Sequence, residues 1–426
     1  MSGPSSSGSR VAPDANGDRE PPDVFFARQP IFDRRGEVAG YELLYRATEQ
    51  VEVADGDRTS MSSRLLVDAV LGIGLRDVTG GHPAYINLPH ELLVDDSTNL
   101  LDPNAVIIEI IESVQAEPVI IAACARLSAA GYRLALDDYI SDDPRAPLIP
   151  HMHIIKVDLP AQPPARLDEL VRELRAAGPH LLAEKVEDAA MWSRCMELGF
   201  DLFQGYFFRR PQLVARRDLT AQQVRILALF NLLQDPNATE PTIVDSFRTD
   251  VALSYKLLAM ANSATVGATG VESINHALRL LGRGTIARWM ALLLAASTGR
   301  RSGTNEEVLH EALVRARFCE QIAEAGRLRH SAGSLFLVGL LSHFDVLLGM
   351  PLSEIVTRLN LAAPIRDAVI QREGELALPL RAVEAYHDGR WDDAASIAAD
   401  CGIDRTVLPG LYREALGWMQ RHAGLL

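Results

Sequence analysis

The sequence predicts an α/β domain followed by an all-α domain: a TIM-like (β/α) barrel over residues 24–211 and a helical domain over residues 218–426. The 426 residues exceed what one hydrophobic core usually serves, which favours two domains. In the first half, short β-prone runs alternate with amphipathic stretches, a pattern typical of parallel strands joined by crossover helices. From Thr220 onward, apolar residues recur at spacings of three and four, as in packed helices.

The first half contains about six to eight strand and helix units, which suits a compact barrel better than an open sheet. Periodicity alone leaves the open sheet as an alternative. The two clearest helical stretches, residues 117–131 and 164–178, each close on the glycine that commonly follows a helix. The strand-like runs are residues 84–88, 105–111, 133–138, 153–159, 180–187 and 202–208.

The second half shows no strand-like alternation, and its apolar residues lie opposite polar ones at helical spacing. We therefore expect helices throughout this half. The four clearest helical stretches are residues 220–234, 242–264, 274–297 and 305–326.

Composition limits the classes of partner. A formal net charge of −14 argues against nucleic acid, whose phosphates are bound mainly by lysine and arginine. A small phosphate ligand stays open, because local cations or metals can outweigh the net charge. The cysteines lack the close spacing of a zinc or redox site, so we expect buried thiols in a reducing compartment. They are Cys124, Cys195, Cys319 and Cys401.

No segment suggests a membrane protein. Residues 1–23 are rich in Ser, Gly, Pro and Asp and lack an apolar core, which indicates a disordered leader rather than a signal peptide. The apolar stretch from Met290 is far shorter than the roughly 20 residues of a membrane span. These features predict a cytoplasmic protein.

Polar side chains recur at or near the ends of successive strand-like runs. In a barrel, the carboxyl ends of the strands meet at one face, where barrel enzymes carry their chemistry. Several facing carboxylates would repel one another unless a cation lay among them, and oxygen ligands favour Mg²⁺ or Mn²⁺. Two such ions about 4 Å apart can support phosphodiester hydrolysis. The residues are Asn87, Glu109, Asp137, Asp138, Lys156, Glu184, Glu187 and Gln204.

A purely structural alternative exists for each of these residues. An acid at a strand end often caps the following helix, and Glu187 and Asp188 directly precede a helical stretch. Lys156 could pair with Asp158 on the surface, and Gln204 could satisfy a backbone group. Helix caps do not explain a lysine within an apolar run, nor its occurrence together with acids on successive strands. The set as a whole therefore favours a metal-binding site.

Seven short motifs in the first half occur in the order in which a known family carries them. They are YELLYR at Glu42, IN at Asn87, the segment from Glu109 to Glu112, the pair Asp137 and Asp138, KVD at Lys156, AEKVE at Glu184 and QGY at Gln204. Together they resemble the EAL domain of cyclic di-GMP phosphodiesterases over about residues 24–211. The resemblance implies hydrolysis of cyclic di-GMP to linear pGpG at a two-metal Mg²⁺ or Mn²⁺ site.

The resemblance also implies a role for each matched residue. The implied metal ligands are Glu42, Asn87, Glu109, Asp137, Asp138 and Glu187. Lys156 would position the attacking water and Glu184 would act as general base. The implied substrate contacts are Arg46, Leu44 and Gln204, and Glu112 would organise a neighbouring loop.

Some positions depart from the family pattern. After Asp138 the chain reads YISDDPRAPL, without the glycines that the family has there, which predicts a differently shaped loop. Lys185 replaces another family glycine, Leu43 replaces an alanine, and Pro89 replaces a serine. Loosened support around ligands commonly lowers activity, so we expect reduced turnover.

The helical half resembles the HDOD domain, a relative of HD-type phosphohydrolases. Where the family's His-Asp dyad would fall, this chain has Ser342 and His343, and Glu311 stands near the place of the first histidine. On a continuous helix, Asp345 would lie about 200° from His343, too far round to share a metal easily. This half is expected to be a non-catalytic regulatory module.

Three functions stay open at this stage. The first is a metal-dependent cyclic di-GMP phosphodiesterase in signal transduction, regulated through the helical half. The others are a catalytically inactive cyclic di-GMP receptor and a protein-interaction scaffold. The expected partners are cyclic di-GMP and a protein that binds the helical domain, with no nucleic acid and no membrane, and a homodimer stays open.

Overall fold

A computed structural model describes most of the chain. The described residues are 24–47, 74–95, 98, 100–205, 219–262, 270–297, 303–359 and 361–423. The predicted leader, the predicted domain boundary and the end of the predicted strand 202–208 lie outside these residues. Among the described helices, none combines the length and the apolar character that crossing a bilayer requires.

Eight strands form a closed barrel in their order along the chain, which confirms the predicted barrel. Strands β2 to β8 run parallel to one another, and β1 is antiparallel to both of its neighbours, β2 and β8. The strands are β1 (Val24–Asp33), β2 (Val38–Ala47), β3 (Ala84–Leu88), β4 (Val106–Ile110), β5 (Arg133–Tyr139), β6 (Ile154–Asp158), β7 (His180–Glu184) and β8 (Leu202–Phe203).

The antiparallel first strand corrects the expectation of an all-parallel barrel. A tight turn joins β1 to β2, and strands joined so closely can only run antiparallel. The Asp33 carboxylate accepts hydrogen bonds from the backbone N–H groups of Arg35 and Glu37 at 2.8 and 2.9 Å. Gly36 has a φ of 76°, a conformation that glycine adopts without strain.

Short helices connect the remaining strands. Asp188 caps one of them, because its side chain accepts from the backbone N–H of Met191 at 2.8 Å. The structural alternative for Asp188 is therefore correct. The helices are α1 (Leu75–Thr79), α2 (His90–Val94), α3 (Pro118–Ala129), α4 (Pro164–Ala177) and α5 (Ala189–Leu198).

The interior of the barrel is layered. Its apolar layer contains Ile31, Tyr85, Ile107, Ala135, Ile154 and Leu182. Side chains alternate along a strand, so the next inward position lies two residues further toward the carboxyl end of each parallel strand. These positions are polar on every strand or directly after it. They are Gln29, Glu42, Asn87, Glu109, Asp137, Lys156, Glu184 and Gln204.

The second half is helical, as predicted, but two predicted helices are interrupted. The helix predicted at 242–264 is divided within its described residues, because the Asp250 side chain caps a new helix, accepting from the N–H of Leu253 at 3.0 Å. The helix predicted at 274–297 contains a non-helical Gly282 with φ 73° and ψ 155°.

The helices of this half begin at Ala221. They are α6 (Ala221–Gln234), α7 (Glu240–Arg248), α8 (Val251–Ala261), α9 (Ile274–Ala296), α10 (Gly303–Ala325), α11 (Ala332–Leu341), α12 (Phe344–Leu348), α13 (Leu352–Arg358), α14 (Ala363–Ile370), α15 (Ala377–His387), α16 (Trp391–Asp400) and α17 (Leu408–Ala423).

The helical half packs on β1, so the two halves share one hydrophobic core. The Phe25 ring lies 6.0 Å from the Tyr386 ring, and the Phe26 ring lies 5.3 Å from the Tyr412 ring, centroid to centroid. Contacts of this kind bury large aromatic surfaces. The helices are therefore held against the side of the barrel that carries the hairpin of β1 and β2.

Candidate active site

A single buried lysine lies among four carboxylates in the polar layer. The Lys156 side chain is fully buried on β6. Its Nζ atom lies 2.6 Å from Asp137 Oδ1, 2.7 Å from Glu109 Oε1, 3.1 Å from Glu184 Oε1 and 3.2 Å from Glu42 Oε2. These residues come from five different strands, so closure of the barrel assembles the cluster. One positive charge faces four groups that are negative when ionised.

Two amides hold the Glu42 carboxylate. Gln204 Nε2 donates to Glu42 Oε2 at 2.7 Å and to Gln29 Oε1 at 3.2 Å. Asn87 Nδ2 donates to Glu42 Oε1 at 3.4 Å, and the hydroxyl of Tyr45 donates to the backbone carbonyl of Asn87. The Gln204 side chain thus binds a carboxylate instead of the backbone group that the structural alternative suggested.

Burial and mutual repulsion shift the titration of these acids. Burial raises the pKa of Glu109 well above its usual range, although Lys156 opposes the shift. Burial also raises the pKa of Glu184 to about 8, again against the effect of Lys156. For Glu42, burial would raise the pKa, but Lys156 and the hydrogen bond from Gln204 bring it below the usual value. Glu109 and Glu184 therefore lack enough positive charge around them.

The unused oxygens of the cluster fit a hard divalent cation. Several buried side-chain oxygens have no hydrogen-bond partner among the described residues, which is costly unless another group binds them. All are oxygen donors of the kind that Mg²⁺ and Mn²⁺ prefer. They are Asn87 Oδ1, Glu109 Oε2, Glu184 Oε2 and Gln204 Oε1.

A second group of acids lies beside the first. Glu112, Asp137 and Asp138 each place one carboxylate oxygen within 4.8 Å of the others. Glu112 was expected only to organise a loop, and its oxygen lies where a cation bound by Asp138 would need ligands. Glu187, the other predicted ligand, is exposed and lines the adjacent cavity.

Lys185 adds a second cation near Asp138. Its Nζ atom lies 2.9 Å from Asp138 Oδ1 and also contacts the Asp158 carboxylate. Asp158 thus pairs with Lys185, and the alternative in which it pairs with Lys156 on the surface is wrong. Lys185 has a φ of 57° and Asp138 a φ of 45°, left-handed conformations that are strained for residues other than glycine.

The glycine-free loop after Asp138 is held by a buried ion pair. Arg145 Nη2 lies 2.7 Å from Asp143 Oδ2 and donates to the backbone carbonyls of Asp137 and Asp138 at 2.9 and 3.3 Å. Asp142 takes a φ of 61°. Charged side chains therefore fix the backbone that carries both aspartates.

A cavity of about 590 Å³ opens above the cluster and is lined by both halves of the chain. The barrel contributes Glu42, Asp137 and Glu184, and helix α10 contributes Glu307, Val308 and Glu311. Gln204, one of the residues expected to contact substrate, also lines this cavity. Sequence patterns gave no sign that α10 reaches this cavity, because its apolar spacing indicated only a packed helix and Glu311 was noted only at the place of a family histidine.

Two other predicted substrate contacts lie at the end of β2. Leu44 is half-buried, and its side chain lies beside Gly389 of the helical half. Arg46 belongs to β2, but its side chain lies outside the described residues.

Glu311 and His343, which stand near the places of the HD-type metal ligands, belong to a polar cluster in the helical half. His343 Nε2 lies 3.4 Å from Glu311 Oε1, which also lies 3.4 Å from Arg315 Nη2. Arg315 Nη1 lies 3.2 Å from Glu384 Oε1, and Arg372 Nη2 lies 2.9 Å from the same oxygen. Two acids are thus matched by two arginines.

The expectation of one continuous helix through His343 and Asp345 is wrong. Helix α11 ends at Leu341, and His343 precedes the first residue of α12. Ser342 Oγ donates to the carbonyl of Gly339 at 2.7 Å. Within the described part of the chain, Glu311, His343 and Asp345 do not form a group compact enough to hold a metal ion.

Known proteins resemble both halves. The family model of the EAL domain matches residues 20–211, and that of the HDOD domain matches residues 219–356. The uncharacterized protein YuxH of Bacillus subtilis is 30% identical over 402 residues, covering 93% of this chain and 98% of that protein. The cyclic di-GMP phosphodiesterase CdgJ of Vibrio cholerae is 29% identical over 403 residues, covering 93% of this chain and 92% of that protein.

Two solved structures show a looser likeness. The manganese and cyclic di-GMP complex of BlrP1 from Klebsiella pneumoniae has a TM-score of 0.36 and 24% identity, covering 46% of this chain and 56% of that one. The YkuI protein of Bacillus subtilis, with an EAL domain and in complex with cyclic di-GMP and calcium, has a TM-score of 0.36 and 18% identity. It covers 61% of this chain and 71% of that one.

Proposed function

The chain belongs to the family of proteins in which an EAL domain precedes an HDOD domain, and we propose that it is a cyclic di-GMP phosphodiesterase of bacterial signal transduction. The product would be linear pGpG. The helical domain would act as a non-catalytic regulatory module that binds an unidentified protein, and the chain would work in the cytoplasm.

The observation that supports this proposal best is the cluster around Lys156. Four acids share one lysine at the floor of a cavity of about 590 Å³, and Glu109 Oε2 and Glu184 Oε2 have no hydrogen-bond partner among the described residues. A protein interior does not keep such a cluster without a compensating charge. A metal-dependent reaction on a phosphodiester would account for it.

We assign the metal ligands by position. Glu42, Asn87, Glu109 and Asp137 would hold one divalent cation, Mg²⁺ or Mn²⁺. Asp137 and Asp138 would hold a second, with Glu187 from the family pattern or Glu112, whose oxygen lies closer to theirs. Bound cations of this type supply positive charge against the oxygens of a phosphodiester.

The residues of the chain would divide the remaining work. Lys156 and the carboxylates around it orient the water that attacks phosphorus. Glu184 would accept the proton of that water, since one of its oxygens has no hydrogen-bond partner among the described residues. Attack breaks the bond from phosphorus to a ribose 3′ oxygen, which takes up a proton from solvent and becomes a 3′ hydroxyl. The ring is then open and a 5′ phosphate remains.

Substrate contacts are proposed above this cluster. Arg46 would contact a phosphate, with Leu44 and Gln204 beside the ligand. Gln204 has a second task, because its amide holds the Glu42 carboxylate in place. The negative charges of Glu307 and Glu311, which also line the cavity, would repel the ligand only weakly, because Arg28 and Arg315 neutralise them in part.

One observation favours a second candidate function, a receptor that binds cyclic di-GMP without cleaving it. Lys185 already pairs with Asp138, the residue expected to hold the second cation. If this ammonium excludes that cation, the substrate could bind without efficient hydrolysis.

A product assay separates these functions. The purified chain is incubated with cyclic di-GMP and Mn²⁺, pGpG is measured by chromatography, and Glu42→Ala is the matched variant. Product in the wild type that vanishes in the variant supports the phosphodiesterase. Saturable binding without product would identify a receptor, and the absence of both would favour a scaffold.

A further inference from the structure

Helix α10 of the helical domain is joined to the first two strands of the barrel through one buried glutamate. Glu307 Oε2 accepts a hydrogen bond from the Tyr41 hydroxyl at 2.6 Å, and Glu307 Oε1 lies 3.4 Å from Arg28 Nη2. Arg28 also stacks over the Tyr41 ring at 4.3 Å and donates to the carbonyl of Val78 at 2.6 Å. None of Arg28, Tyr41 and Glu307 is more than 8% exposed.

The charges in this contact match. Burial alone would raise the pKa of Glu307, but Arg28 and the hydrogen bonds around it hold the pKa below the usual value. Glu307 is therefore ionised, and its bond from Tyr41 is of the stronger, charge-assisted kind. Breaking a buried contact of this type leaves a charge without its partner, so the contact resists separation.

The same two strands carry the site on their other face. Tyr41 directly precedes Glu42, and Arg28 directly precedes Gln29, so the side chains of each pair point to opposite faces. Gln29 and Glu42 are paired across the hairpin, and both bind the Gln204 amide. The Glu307 contact and the Glu42 carboxylate thus lie on opposite faces of the same two-stranded hairpin.

We propose that Glu307 is a positioning residue for Glu42, supplied to the barrel by the helical domain. Its contacts with Tyr41 and Arg28 fix the hairpin of β1 and β2 at the height where Glu42 meets the cation. This inference rests on the proposed function. It also gives a mechanism of regulation. A partner protein that shifts α10 would weaken the contacts of Glu307 and so loosen Glu42, and it would move Val308 and Glu311 in the cavity wall.

The test measures Mn²⁺ affinity by titration calorimetry on the full chain. Tyr41→Phe removes the hydroxyl but keeps the ring under Arg28, and Glu307→Ala removes the whole contact. Both are expected to weaken Mn²⁺ binding by about tenfold, the lower range for residues that orient metal ligands. Glu307→Gln keeps an oxygen for the Tyr41 hydroxyl, so it should lose less than Glu307→Ala.

Glu320→Gln is the matched control. Glu320 lies on the same helix, is equally buried and lies 2.7 Å from Arg288, a residue of the helical domain. It has no part in the cavity lining. This variant should lose stability comparably and bind Mn²⁺ like the wild type, which separates positioning from a general loss of stability.

Two outcomes would overturn the proposal. One is a folded Tyr41→Phe chain that binds Mn²⁺ with wild-type affinity. If instead the wild type binds no Mn²⁺ and forms no product, the proposed function fails. The positioning role of Glu307 is then tested separately, by hydrogen exchange at the Glu42 amide. Faster exchange in Tyr41→Phe than in Glu320→Gln then supports the positioning role, and equal exchange refutes it.

Discussion

The two halves of the chain each contain a cluster of charged side chains that are buried or half-buried, and the clusters differ in their balance of charge. In the barrel, four carboxylates share Lys156. In the helical domain, Glu311 and Glu384 face Arg315 and Arg372. The first cluster has more acids than bases, whereas the second is matched.

This difference separates a site from a structural network. A matched network needs nothing from outside, since each buried charge has its partner within the chain. An unmatched one must raise the pKa of its acids or bind a cation, and the shifts at Glu109 and Glu184 show the first response. Buried charge alone therefore does not mark a site, but unbalanced buried charge does.

The largest effect is expected from removing the central cation of each cluster. Lys156→Met should lower the free energy of unfolding by about 3–5 kcal/mol, because four buried acids lose their partner. Arg315→Met should lower it by less, because Glu384 is partly exposed and keeps Arg372 as a partner. Mn²⁺ should restore stability only in Lys156→Met, where the freed acids can bind it. Urea denaturation with and without Mn²⁺ measures this, and an equal response of both variants would contradict the comparison.

The next effect concerns turnover. Glu42→Gln keeps the shape of the side chain but removes a charge that would hold the cation, so pGpG formation should fall by at least about a hundredfold. Glu384→Gln, in the matched cluster, should keep its rate within about twofold. Initial rates at saturating Mn²⁺ measure both, and a comparable loss in Glu384→Gln would place the helical cluster in the reaction.

The pH dependence of stability should differ with and without metal. Burial raises the pKa of Glu184 to about 8 from a usual value of 4.5, so the folded metal-free chain keeps a proton that the unfolded chain releases. This contribution is complete below pH 4.5 and is lost as the pH rises toward 8. The melting temperature in EDTA should fall by roughly 2–3 °C between about pH 6 and about pH 8. Glu184→Gln should abolish most of that fall.

The smallest effect is expected at Lys185. Its ammonium competes with a cation for Asp138, but it is half exposed, so solvent weakens the pairing. Lys185→Gly should tighten the binding of a second Mn²⁺ by about threefold to tenfold and also relieve the strain of a left-handed lysine. Calorimetric titration measures both sites, and unchanged weaker binding would show that Lys185 does not compete there.

The barrel and its acids were predictable because their signals are local. Alternating strands and helices indicate the barrel, and one polar residue at each strand end indicates the shared face. The hairpin of β1 and β2 was missed, although the turn from Asp33 to Gly36 carries a recognisable signal for it. A tight turn at this position also excludes a parallel arrangement of β1 and β2.

Other features had no local signal. Arg145 replaces the ordering effect of glycines through an ion pair and two backbone bonds, which no spacing rule predicts. Glu307 meets Tyr41 across a separation of 266 residues, and an acid on an amphipathic helix normally faces solvent. Contacts so distant in the chain depend on how the two domains dock.

The long separation between Tyr41 and Glu307 also has a consequence for synthesis. The first two strands leave the ribosome well before α10 exists, and domains generally fold as they emerge. Until then Phe25, Phe26 and Arg28 lack their final partners, and an uncovered aromatic surface promotes aggregation. A chain shortened to the barrel alone should therefore aggregate more readily than the full chain.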